Sequence, residues 1–216
     1  SLSRSFNMIV VGRPGSGKTN LVVNLLKSGA YDGERKGLRK MFHNIVVCSP
    51  SISSLKSNIF KKIDDEKLFE EFDMDFIDFV KELTDIEAEQ GHSTLIIMDD
   101  VGTQLRKNAQ VEKAFLQLAF NRRHRRLSMI TSVQSYKNLP VGIRTSASHL
   151  ALFRPVNQKE LISVWEEVLG PIDRKDLNEF VDFIFDKKHA FLFVDMSLLF
   201  NSKFVFYKNW ERIISM

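Results

Sequence analysis

Hydrophobic positions along the chain follow two periods. Short, largely apolar segments at residues 6–11, 44–48, 94–98, 128–133 and 149–153 predict strands, and the continuous apolar runs within them at 9–11, 45–47 and 95–98 are the pattern of strands buried on both faces of a parallel sheet. Between them, apolar residues recur every three or four positions, as on amphipathic helices. Residues 20–26 predict a helix directly after a loop that holds Gly12, Pro14, Gly15 and Gly17. Residues 65–90 carry Leu68, Phe69, Phe72, Phe76, Phe79, Val80 and Leu83 at helical spacing and predict a second helix, broken near Asp73 and ended by Gly91. Its phenylalanines are read as core, because an apolar stripe at that spacing is usually buried. Residues 111–120 predict the helix ahead of the fourth strand. Beyond Pro155, residues 158–168 and 174–185 predict two helices parted by Gly170 and Pro171, and residues 190–195 and 203–207 predict strands that pair as a terminal hairpin.

Strands alternating with helices define an α/β chain with a mostly parallel sheet flanked by helices. No repeat or low-complexity linker interrupts it. Residues 1–216 therefore read as a single domain, with a core over 6–155 and C-terminal helices and hairpin over 156–216. A composition of 44% hydrophobic and 27% charged residues excludes the disordered and fibrous classes. No apolar run approaches the ~20 residues of a membrane span, and the start of the chain lacks the layout of a secretory signal. A soluble protein of a reducing, intracellular compartment is expected. The single cysteine, Cys48, cannot form an intrachain disulfide and reads as a buried thiol. A net charge of +4 suits a phosphate-rich partner without requiring one.

Candidate chemistry concentrates where strands end. Gly12, Arg13, Pro14, Gly15, Ser16, Gly17, Lys18 and Thr19 match the phosphate-binding Walker A pattern between a strand and a helix. Glycines let backbone N–H groups turn toward phosphate oxygens, Lys18 reaches the terminal phosphates, and the helix N-terminus favours the anion. These residues and the adjoining Asn20 are the candidate nucleotide contacts, with Thr19 a magnesium ligand through its hydroxyl. The strand 94–98 delivers Asp99 and Asp100 at its C-terminal edge, the Walker B layout. Asp99 is the expected magnesium partner, and Asp100 is placed to polarise an attacking water. Gln134 ends the fourth strand and is placed to sense the γ-phosphate, provided its strand and that of the acids both lie beside the Walker A strand. Arg122, Arg123, His124, Arg125 and Arg126 close the preceding helix. Cations there cap the macrodipole, and one of them is a candidate for stabilising phosphoryl charge.

Together these motifs resemble the FtsK/HerA superfamily of DNA-pumping ATPases, and most closely the poxvirus-type genome-packaging ATPases of large DNA viruses and virophages. The resemblance rests on the loop from Gly12 to Thr19, the Asp99-Asp100 pair, the run from Arg123 to Ser128, Gln134 followed by Leu139-Pro140, and Ile143-Arg144. It covers most of the chain. Asp100 stands where the bacterial pumps carry glutamate, and matches the viral branch. The resemblance implies ATP hydrolysis with Mg2+, a homo-oligomeric ring of pentamer or hexamer type, duplex DNA in its centre, capsid proteins as further partners, and work in the virion or the infected-cell cytoplasm. It also implies that Arg123, eleven residues before Gln134, acts in trans on the neighbouring subunit's nucleotide. Arg35, Lys36, Arg39, Lys40, Arg106 and Lys107 are candidate DNA contacts. Two other readings stay open: a nucleotide or nucleoside kinase whose Arg122–Arg126 run is a phosphate-clamping lid, and a binding module with ATP as a slow switch.

Overall fold

The continuous apolar runs do form buried strands. In the computed structural model, which describes residues 5–27, 37–53, 60, 63–105, 108–155, 157–170, 172–197 and 205–213, the strands are β1 (Asn7–Val11), β2 (Asn44–Cys48), β3 (Leu68–Phe69), β4 (Thr94–Asp99), β5 (Leu127–Val133), β6 (His149–Phe153), β7 (Phe191–Asp195), β8 (Val205–Lys208) and β9 (Glu211–Arg212). They join one sheet in the order β3-β2-β4-β5-β1-β6-β7-β8-β9. Pairing is parallel from β3 through β6. It turns antiparallel at β7 and remains so to β9.

Side chains alternate between the two faces with the period of two that a strand imposes. Met8 and Val10 of β1 join a layer built on helix α1 (Lys18–Lys27), through Leu21, Val22, Leu25 and Leu26. Ile9 and Val11 face the opposite layer, formed by α2 (Met74–Glu89), α4 (Ala109–Asn121), α6 (Gln158–Glu167) and α7 (Leu177–Ile184). Two short helices, α3 (Gly102–Leu105) and α5 (Val141–Thr145), join elements on that second face.

The expected helix over residues 65–90 is corrected in its first part. Residues Asp65–Lys67 form a single 3-10 turn, and Leu68 and Phe69 pair with Val47 and Cys48 as an edge strand. The available β2 edge offers these backbone groups partners, which a helix of the same residues would leave unused. Helix α2 begins only after the break, where Asp73 caps it by accepting a hydrogen bond from Phe76 N at 3.0 Å. The phenylalanine stripe is core: Phe72 packs against Phe76 and Phe115 at ring-centre distances of 5.3 and 5.1 Å. Gly91, at φ 77°, follows the helix end as expected.

The terminal hairpin forms between β7 and β8, starting at Val205; Lys203 lies outside the described residues. The exposed pair Glu211–Arg212 adds β9, which no apolar period announces. Cys48 is fully buried, and burial pushes its thiol well above the usual range, as a structural thiol requires. Among the described residues, no helix is long and apolar enough to cross a membrane.

At the β1–β6–β7 seam, His149 is completely buried between the rings of Phe6 and Phe193. Its Nδ1 lies 2.8 Å from Ser148 Oγ and its Nε2 3.5 Å from Asp195 Oδ1. Burial pushes the imidazole down to about 4, outweighing the attraction of Asp195, with Arg122 adding to the depression. In the unfolded chain an imidazole protonates near pH 6.5. Between these values the unfolded state holds more protons, so this group's contribution to stability is present above the unfolded value and is lost as pH falls toward 4. Denaturant titrations from near pH 7 down to near pH 4.5 are expected to show stability falling by up to about 1.4 kcal/mol per pH unit from this group. His149→Gln should flatten that slope; an unchanged slope in the variant would exclude His149 as its source.

Candidate nucleotide site

The loop between β1 and α1 is held at both ends by backbone bonds. Gly12 N donates to Val133 O at 3.1 Å, tying the loop's start to the end of β5, and Leu21 N donates to Gly17 O at 2.9 Å, opening the helix. A Cβ on Gly12 would lie 2.5 Å from Ser16 Oγ and 2.8 Å from Phe153 Cβ. Gly15 and Gly17 take φ of 73° and 107°, and the latter lies outside the range that L-residues readily adopt. The loop thus forms a concave row of main-chain amides at a helix N-terminus, an anion cradle. Ser16 Oγ is buried there with no hydrogen-bond partner among the described residues, and a phosphate oxygen supplies the acceptor such a hydroxyl needs.

Lys18 is 8% exposed, and its Nζ donates to Gly12 O at 2.7 Å and Arg13 O at 3.2 Å. Burial lowers the ammonium's pKa, opposed by Asp100 and then Asp99. The cation is therefore held by the loop's own carbonyls, within the electrostatic reach of Asp99 and Asp100. Arg13, Pro14 and Asn20 are exposed along the same rim.

Strand order corrects one expectation. The strand of the acids is not beside β1, because β5 lies between them. This insertion places Ser132 directly opposite Asp99 in the parallel register. Ser132 Oγ donates to Asp99 Oδ1, and Thr19 Oγ1 donates to Asp99 Oδ2 at 3.2 Å. Asp100 follows at φ 57°, a left-handed turn that aspartate tolerates better than most residues. Its N–H is held by Ser132 O at 3.1 Å, and its Oδ2 accepts from Gln134 Nε2 at 2.8 Å. Lys18, Thr19, Asp99, Asp100 and Gln134 thus converge at the C-terminal edge of three strands.

The pair Thr19 and Asp99 offers the hard oxygen donors that Mg2+ prefers, in a site that leaves further coordination to phosphate and water. No cluster of three or more His, Cys, Asp or Glu suited to a metal occurs among the described residues. Magnesium held here would be shared with a ligand rather than enclosed by protein.

Arg123 is not part of this convergence. The Arg122–Arg126 run precedes the first residue of β5, whereas Gln134 follows the last, and seven extended residues put the two roughly 20 Å apart. Arg122 Nε and Nη1 donate to Ser5 O and Ala119 O at 3.0 and 2.7 Å. Arg125 grips α2 through Asp85, Thr84 Oγ1 and Lys81 O. These contacts fix the run to the far edge of the sheet, which removes the lid over this chain's own phosphates. Arg123 is exposed, and its guanidinium has no partner among the described residues. Of the candidate DNA contacts, Arg35, Lys36, Arg106 and Lys107 lie outside the described residues, while Arg39 and Lys40 form the last two positions of a 3-10 turn.

Two elements of the site were not singled out from sequence. Ser132, which shares β5 with two other hydroxyl residues, Ser128 and Thr131, carries no motif of its own. The second is a cleft of ≈ 440 Å³ between Arg13, Pro14 and Ser16 on one side and Phe153, Arg154 and residues 185–190 on the other. It forms only because β6 and β7 bring the C-terminal segment against the loop.

A sheet with the acids' strand separated from the phosphate-loop strand by one polar-ended strand, and this constellation at its edge, defines the P-loop nucleoside triphosphatase class. The chain belongs to the Poxvirus A32 protein family, whose model matches residues 1–209. No curated protein matches it in sequence. Among solved structures it is similar to B204, the DNA-packaging ATPase from Sulfolobus Turreted Icosahedral Virus, with a TM-score of 0.67 at 16% identity over 95% of this chain and 98% of that one. The genome packaging NTPase B204 from Sulfolobus turreted icosahedral virus 2, in complex with ATP-gammaS, gives 0.61 at 16% identity over 96% and 98%. The pCW3 conjugation coupling protein TcpA, with ATPgS, gives 0.59 at 16% identity over 88% and 57%. These likenesses establish a shared fold.

Ser132→Ala removes the donor that orients Asp99 while leaving the strand's packing intact. It is expected to raise the Mg2+ concentration needed for half-maximal turnover by about 10- to 100-fold, the usual cost of losing a partner that orients a metal ligand. A magnesium titration of the ATPase rate checks this, and an unshifted midpoint would show that Asp99 is oriented without Ser132.

Proposed function

We propose that the chain is the ATP-hydrolysing motor that drives viral double-stranded DNA into a capsid, working as a ring in the virion or infected-cell cytoplasm. The observation that carries this reading is the set of contacts joining Thr19, Asp99, Ser132, Asp100 and Gln134 beside Lys18, in a member of the Poxvirus A32 family. The structural likeness to packaging ATPases of nearly the same length agrees with it.

The triphosphate of ATP lies along the amides of residues 15–19, with Lys18 leaving the carbonyls of Gly12 and Arg13 for the β- and γ-phosphates. Thr19 and Asp99 would hold magnesium, which would supply positive charge near the phosphates. Asp100 and Gln134, already hydrogen-bonded to each other, orient a water in line with the γ-phosphorus. The new water oxygen–phosphorus bond forms as the bond to the bridging oxygen breaks. ADP departs with that electron pair, and the water's proton passes to Asp100 or onward to solvent.

Arg123 serves the adjacent subunit. It cannot reach the phosphates of its own chain, and it projects from a surface that is unusually apolar for solvent exposure. Phe120, one turn earlier on α4, is 62% exposed, and Val141 at the start of α5 is 61% exposed. Gly142, next to Val141, packs against the side chain of Leu116, which precedes Phe120 by one turn of α4. A second copy covering this surface would bring Arg123 to its nucleotide, so that hydrolysis is coupled to motion between subunits. The kinase reading lacks support because the arginine run is anchored away from the loop, whereas a slow switch predicts little turnover under any condition.

Lys18→Ala is expected to reduce ATP turnover to about 1% or less, the scale of losing one strong phosphate contact. Turnover measured with and without duplex DNA should show stimulation by DNA and no phosphoryl transfer to a nucleoside; turnover that ignores DNA would argue against a translocase. Arg123→Ala alone should lower turnover by about 10³-fold, yet mixing it with Lys18→Ala subunits should restore part of the rate through interfaces that pair intact halves. No recovery at any mixing ratio would remove the trans role.

A further inference from the structure

The C-terminal segment reaches the phosphate loop through one side chain. His189, at φ 66°, precedes β7 in a left-handed turn, and its Nδ1 lies 2.9 Å from Ser16 O. A carbonyl can only accept, so Nδ1 carries the hydrogen and donates. No backbone N–H among the described residues bonds that carbonyl. His189 also lies against the face of Gly17: a Cβ built there would be 3.5 Å from both His189 Nδ1 and Phe153 Cε1.

The acceptor's position gives this contact its meaning. The Ser16 carbonyl and the Gly17 N–H belong to one peptide group. That group is planar and trans, so its oxygen and hydrogen point in opposite directions. Holding the oxygen toward His189 turns the Gly17 N–H away from it, toward the far side of the loop. Gly17 has no side chain to resist rotation of that peptide, and its φ of 107° lies where only glycine is at ease.

We propose that His189 is a positioning residue for the nucleotide: its hydrogen bond to Ser16 O locks the Ser16–Gly17 peptide so that the Gly17 N–H faces the phosphates. This rests on the reading of the loop as a triphosphate cradle. It makes the C-terminal helix and hairpin unit a working part of the cradle, since the turn that carries His189 is set by β7 pairing with β6. The cleft between the two lies on the β6–β7 side of the loop, away from Asp99 and Gln134. A nucleotide whose γ-phosphate points to those acids extends its nucleoside toward this cleft, so His189 has a second possible partner that the test must separate.

The substitutions follow from the geometry. Asparagine carries its amide nitrogen at the same bond separation from Cβ as histidine Nδ1 and tolerates left-handed backbone, so His189→Asn keeps the donor. His189→Gly relieves the backbone and removes the donor. Affinities for inorganic tripolyphosphate and for adenosine are measured separately, beside the melting temperature and the ATPase parameters. The expected result is that His189→Gly weakens tripolyphosphate about three- to ten-fold, the scale of one hydrogen bond, leaves adenosine unchanged, and raises KM more than it lowers kcat, with His189→Asn restoring most of the loss. Loss of adenosine binding alone would make His189 a nucleoside contact and overturn the proposal. Unchanged tripolyphosphate affinity, or a loss that only tracks a lower melting temperature in both variants, would make it a strut. Failure of the cradle itself would appear differently, as wild-type protein that binds no tripolyphosphate or is indifferent to Lys18→Ala.

Discussion

The site depends on the parallel register of β4, β5 and β1. Asp99 faces Ser132, and Val11 faces Val133, so the acids, the serine and the entrance to the phosphate loop leave the sheet at one level. Slippage of one residue in either pairing would send every side chain of a strand to the opposite face and part Asp99 from both Ser132 and Thr19. Burial prevents this. Met129 and Ile130 point into different layers, and both are fully enclosed. The core is therefore what sets the distance between the phosphate loop and the Asp99 carboxylate.

The parts of this arrangement that were readable in the sequence are those with a local cause. The loop from Gly12 to Thr19 is specified by backbone demands that only its glycines meet. The strand ahead of Asp99 announces itself as an unbroken apolar run. The parts that were not readable depend on neighbours distant in sequence. Residues 65–69 share the apolar spacing of the helix that follows, and only the free edge of β2 decides that Leu68 and Phe69 extend instead. The position of β5 between β1 and β4 leaves no mark on any of the three strands, yet it turns Ser132 from a neutral strand residue into the partner of Asp99. His189 follows the same logic, since its turn has no periodicity and gains its contact only through the pairing of β7 with β6.

The arginine run shows how one sequence feature separates into different physical roles. Arg122 and Arg125 use their guanidinium groups on carbonyls and on Asp85, joining the end of α4 to the chain ahead of β1 and to α2. Arg126 sits partly buried in a left-handed turn that redirects the chain into β5. These three make a stiff corner, and Arg123 is carried on it with its own charge unspent. If Arg123 meets a phosphate across an interface, as proposed, rigidity of that kind would favour it, because each freely rotating bond frozen on contact subtracts from the interaction.

Nucleotide chemistry in this fold then draws on both ends of the sheet. On the proposed reading, charge developing at the γ-phosphate would be met on one side by Lys18 and magnesium, and on the other by water aligned between Asp100 and Gln134, residues all positioned by the parallel half. The antiparallel half, from β7 onward, reaches the same loop through His189 and closes the cleft beside it. A displacement of the hairpin relative to β6 would therefore be felt at Ser16 O before it altered any acid of β4. If subunits of the proposed ring push on that hairpin, the mechanical path into the cradle would run through a single peptide plane, and the path out to a neighbour, on the proposed trans role, through the corner that holds Arg123.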